Sequence, residues 1–63
     1  MSETQKTMAR ELEAVGLKAE ARFVSEVGVP SITQVESILR DEKGKAGPFK
    51  RVLRKMGIRI PAI

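Results

Sequence analysis

The chain has 63 residues, which makes one small domain with limited surface to bury and no room for a second. It contains no cysteine, histidine, tryptophan or tyrosine; disulfides, thiolate and imidazole metal ligands, the commonest general base and most stacking aromatics are therefore absent. At 41% hydrophobic and 32% charged, with a net charge of +4, it reads as a water-soluble intracellular (cytoplasmic) chain, with no apolar run near the roughly 20 residues of a membrane span and no leader pattern.

The first helix is expected at about 2–15. Ser2 with Gln5 has the spacing of a capping box. Met8, Leu12 and Val15 recur at i, i+4 and i+7 and make a narrow apolar stripe. That stripe is expected to pack on the chain's own core; a seam for a second copy or another protein is the alternative. Gly16 suits a left-handed helix end, and the stripe shifts phase across it, so a break is expected there. A second helix, about 17–27, aligns Leu17, Ala21 and Val24, with Phe23 and Val27 widening the same face.

Gly28, Val29 and Pro30 form a turn, after which Ser31 and Gln34 make a second capping box. The third helix, about 31–42, places Ile32, Val35, Ile38 and Leu39 on one face. Residues 42–47 read as a loop from their glycines and charges, with Pro48 preorganised to open a fourth helix, about 48–56, that Gly57 ends. In that helix Phe49, Val52, Leu53 and Met56 share one side, opposite Lys50, Arg51, Arg54 and Lys55. Ile58, Ile60 and Ile63 mark a short tail, 58–63, expected to fold back over the core. The expected fold is all-α, a small three- to four-helix domain of helix-turn-helix type. Its acidic N-terminal helix precedes a trihelical part over about 17–57, with Phe23, Val24, Val35, Leu39, Phe49, Val52 and Leu53 in the core.

Catalysis finds little to work with. The eight carboxylates scatter over polar helix faces, and the neighbours Asp41 and Glu42 point about 100° apart on a helix. The run Gly44-Lys45-Ala46-Gly47-Pro48 lacks the spacing of a phosphate-binding loop. Neither enzyme activity, a metal, a cofactor nor a small-molecule substrate is expected.

Charge is the informative signal. Residues 1–42 hold five bases and all eight acids, a net of −3, whereas 43–63 hold seven bases and no acid, a net of +7. Lys43, Lys45, Lys50, Arg51, Arg54, Lys55 and Arg59 are thus the candidate nucleic-acid contacts. Like charges at i, i+4 (Lys50 with Arg54, Arg51 with Lys55) cost a few tenths of a kcal/mol each in an isolated helix. The helix dipole accounts for bases near a C-terminus but not for Lys50 and Arg51.

With few aromatics, duplex DNA fits better than single strands. The expectation is a small DNA-binding protein, a transcriptional regulator or accessory factor, with helix 48–56 as the reader. Helix 31–42, presenting Thr33, Gln34, Ser37 and Arg40, is the second choice. So few contacts call for a homodimer or a DNA-bound protein partner, for which the first helix is the alternative seam named above, and no membrane partner is expected. The competing reading is an inhibitor or adaptor whose basic face docks an acidic protein.

Overall fold

Ser2 opens the first helix, α1 (Glu3–Ala14), where its Oγ accepts the Gln5 N–H at 3.1 Å. The computed structural model describes residues 2–41 and 43–59, Lys43 by its backbone alone. Gln5 does not complete the expected capping box. Its Nε2 instead donates to the Val24 carbonyl at 2.7 Å, near the end of the second helix, α2 (Lys18–Glu26). The last carbonyls of a helix lack partners within it, so Gln5 supplies from α1 a cap that α2 does not provide for itself.

At the other end of this hairpin the break falls at Gly16, with φ +85°. The Gly16 N–H reaches the Glu13 carbonyl at 3.0 Å and the Leu17 N–H reaches Leu12 at 2.9 Å. This is a Schellman ending, and its accompanying apolar contact is supplied by Leu12 and Leu17, both in the core. Of all helix pairs, α1 and α2 pack most extensively.

The third helix, α3 (Ile32–Asp41), has a complete capping box. Ser31 Oγ accepts the Gln34 N–H at 3.2 Å, and Gln34 Oε1 accepts the Ser31 N–H at 2.9 Å. The fourth, α4 (Lys43–Lys55), departs from expectation. It starts five residues before Pro48, so the described part of 42–47, residues 43–47, is helix and not loop. Two facts reconcile the sequence with the helix. Gly47 has no Cβ to clash with the ring of the following proline, which removes much of the usual bar to helical backbone before proline. Lys45 and Ala46 are also half-buried, anchoring this turn to the rest of the molecule. Gly57, at φ +75°, ends α4 with a second Schellman pair, and Ile58 turns back against the core as expected. Ile60 and Ile63, the remainder of the expected tail cover, lie outside the described residues.

Among the described residues the architecture is all-α, four helices with no strand. The buried core comprises Met8, Leu12, Leu17, Ala21, Val24, Val35, Phe49, Val52 and Leu53. Met8 and Leu12 are almost wholly covered within the chain itself, so the stripe of α1 serves the chain's own core. Three expected core-face residues are exposed instead: Phe23, Val27 and Ile32. Phe23 follows Ala21 and precedes Val24, about 100° round α2 from the latter, and points to an open groove beside α3. Val27 lies past the last helical residue of α2. Ile32 sits in the first turn of α3, the end remote in sequence from α4, the helix that braces α3. Leu39 is half-buried, packed on the margin of the core.

Candidate nucleic-acid interface

One side of α4 is held down by Phe49, Val52 and Leu53, all buried. At about 100° per residue, that orientation turns Arg51 and Arg54 directly outward and leaves Lys50 and Lys55 on the flanks. Arg51, Arg54 and Lys55 are exposed and Lys50 is half-buried; Arg59, beyond the Gly57 turn, is exposed as well. Lys43 contributes its backbone to the first turn of α4.

Folding also brings carboxylates to this basic segment. Lys45 Nζ lies 2.6 Å from Glu20 Oε2, and the Glu20 side chain is only 13% exposed. The second oxygen, Oε1, is buried without a hydrogen-bond partner. Lys55 Nζ meets Glu11 Oε1 at 3.0 Å, with the lysine still 67% exposed. Two of the seven candidate bases are therefore answered from α1 and α2. Among the described residues, no carboxylate comes within ion-pair reach of Lys50, Arg51, Arg54 or Arg59.

Neither Glu11 nor Glu20 was singled out by the sequence pattern, yet a signal exists. Glu20 stands four residues before Val24, and Glu11 stands three after Met8 and four before Val15. Both therefore border a buried stripe, where a carboxylate can reach a neighbouring helix. Their partners lie on α4, far along the chain, and periodicity within one helix says nothing of such pairings.

The polar groups of α3 are used locally. Gln34 caps its own helix, Ser37 Oγ donates to Asp41 Oδ2 at 3.2 Å, and Arg40 Nε donates to Asp41 Oδ1 at 3.3 Å. Thr33 is exposed. A helix whose only arginine is tied to its own carboxylate is a poorer polyanion surface than the outer face of α4.

Among the described residues no cluster of three or more metal-ligating side chains converges, and no helix is long and apolar enough to cross a membrane. Comparison of the chain with family models, with curated proteins and with solved structures finds no match.

Proposed function

We propose that the protein binds duplex DNA through the outer face of α4, as a small transcriptional regulator or accessory DNA-binding factor. The observation that carries this reading is the exposed Arg51–Arg54 pair, flanked by Lys50, with no carboxylate in reach among the described residues. Arginines at i, i+3 project from the same side of a helix, and guanidinium groups suit both phosphates and the edge of guanine. α3 and α4 are consecutive packed helices, and within a helix-turn-helix reading of the chain α4 is the element that enters the groove. Lys45 and Lys55, already paired, contribute less than their charge suggests.

A shift assay on duplex DNA at several salt concentrations tests this. Four contacts, from Lys50, Arg51, Arg54 and Arg59, give a log–log salt slope of roughly −3 to −4. Replacing Arg51 or Arg54 by alanine flattens the slope by about one unit, whereas Lys55→Ala leaves it nearly unchanged. Undetectable affinity at about 50 mM salt, or affinity indifferent to losing both arginines, sinks the reading.

The pairing of Lys45 with Glu20 and of Lys55 with Glu11 favours a second reading, an acidic protein as the occupant of the same face. Salt-sensitive binding to polyglutamate without binding to duplex DNA would select it.

A further inference from the structure

Among the described residues α2 and α3 make no close backbone contact, and a groove of about 350 Å³ lies open between them. That volume is at the small end of the roughly 300–1,000 Å³ of small-molecule pockets. The core residues Leu12, Val24 and Phe49 reach its floor, and Phe23 and Ile38 stand on its two sides. Phe23 is 38% exposed, so its ring is a large apolar surface that the chain leaves uncovered. Three polar side chains also line the groove: Gln34, Ser37 and Glu20. Two of them are engaged within α3. Gln34 Oε1 accepts the Ser31 N–H at 2.9 Å, and Ser37 Oγ donates to Asp41 at 3.2 Å. The Glu20 carboxylate is engaged on one side only. Its Oε2 takes Lys45 at 2.6 Å, whereas Oε1 is buried with no hydrogen-bond partner. A buried acceptor left unpaired is costly, and a donor arriving there recovers that cost.

We infer that this groove binds an uncharged, chiefly apolar small molecule carrying one N–H or O–H donor, which pairs with Glu20 Oε1. Each part of that description answers a feature of the site. The apolar body matches the floor and the Phe23 ring, which it removes from water. The donor matches the carboxylate oxygen that no group of the chain satisfies. Charge selects against the other ligand classes. An anion would be repelled by the carboxylate itself. A cation would add a second positive charge beside a carboxylate that Lys45 already neutralises. A neutral donor completes the carboxylate without disturbing that pair. The inference rests on the groove and Glu20 alone, not on the reading of α4 as a DNA-binding face.

The test uses two probes, indole and N-methylindole, which share a ring system but differ in the N–H donor. Each is titrated into the isotope-labelled full chain and followed by amide chemical shifts, with far-UV circular dichroism confirming that every variant is folded. Indole is expected to bind with a Kd of about 1 mM or tighter, with shifts gathered at residues 19–24 and 34–38. N-methylindole should bind about tenfold more weakly, having no proton to give the carboxylate. Ala19 is exposed and lines the groove, so Ala19→Phe fills it without entering the core and should weaken indole binding about tenfold or more. Glu20→Gln should shrink the preference for indole over N-methylindole to about threefold or less. Should that variant not fold, the two probes on the parent chain and Ala19→Phe decide. No shift at about 5 mM indole overturns the inference. So do equal affinities for the two probes, shifts centred on the outer face of α4, or indifference to Ala19→Phe. Substituting Arg51 and Arg54 should leave indole binding unchanged. Loss of duplex binding with indole binding retained would therefore fault only the proposed function, and the converse only this inference.

Discussion

The second half of α4 carries Phe49, Val52 and Leu53 at helical spacing, all buried, while its first half holds Gly44, Gly47 and Pro48. In a helix interior each glycine costs about 1 kcal/mol relative to alanine and a proline about 3. Residues 49–55 are helical because their own pattern asks for it. Residues 43–48 are helical although their composition asks for a turn, held by the half-buried Ala46 and by Lys45 on Glu20. Punctuating residues end a helix only where nothing outside the segment outweighs them. Stability should accordingly be distributed unevenly along one continuous element, with the first half drawing on a few contacts and the second on the core.

The strongest way to break the comparison is at the second half. Phe49→Ala empties a fully buried site and should cost about 3–5 kcal/mol, comparable to the whole stability of so small a domain. Denaturant unfolding measures it, and a variant that unfolds like the parent would mean that the core does not depend on α4.

A smaller and more local effect is expected from Lys45→Met, which keeps most of the stem but leaves the Glu20 carboxylate, 13% exposed, without its lysine. A loss of about 1–3 kcal/mol should follow. Amide hydrogen exchange should show the loss of protection concentrated in residues 43–47, and unchanged protection there would show that the ion pair does not hold this turn.

The finest test is a pair of glycine substitutions with opposite signs. A Cβ at Gly44 would meet nothing within 4 Å, so Gly44→Ala should stabilise by up to about 1 kcal/mol because the residue is helical. Gly57, at φ +75°, is where a side chain is strained, and Gly57→Ala should destabilise by about 1–2 kcal/mol. A fall in melting temperature for both would contradict the helical assignment of Gly44, and a rise for both the left-handed conformation of Gly57.

Much of the fold was readable where one segment contains its whole explanation. Ser31 with Gln34, Gly16, Gly57 and the spacing of Phe49, Val52 and Leu53 each act through neighbours a few residues away. The departures share the opposite property. Gln5 leaves its local box for a carbonyl on α2, and the turn at 43–47 becomes helix through contacts beyond itself. Phe23 and Ile32 have the right character and spacing for a core, but burial also requires a neighbouring helix, and the groove beside α3 lies in front of Phe23. The candidate site divides in the same manner. Its location on α4 was legible from charge, whereas the pairing of Lys45 and Lys55 with acids from other helices was not.

The Gln5 cross-link has a kinetic consequence. With the Leu12–Leu17 ending it clamps both ends of the α1–α2 hairpin, and even the wider clamp spans only 19 residues of chain. Closing a loop of that length is inexpensive in entropy, and local contacts of this sort form quickly. The α1–α2 hairpin can therefore assemble first, presenting Leu12, Val24 and the Glu11 and Glu20 carboxylates as a partly formed template. The basic segment, which includes the costly glycine- and proline-bearing turn of α4, then folds onto a surface that already offers the carboxylate partners of Lys45 and Lys55. Part of the charge that is prominent in the sequence is thus spent within the molecule, on the two ion pairs that join α4 to the hairpin.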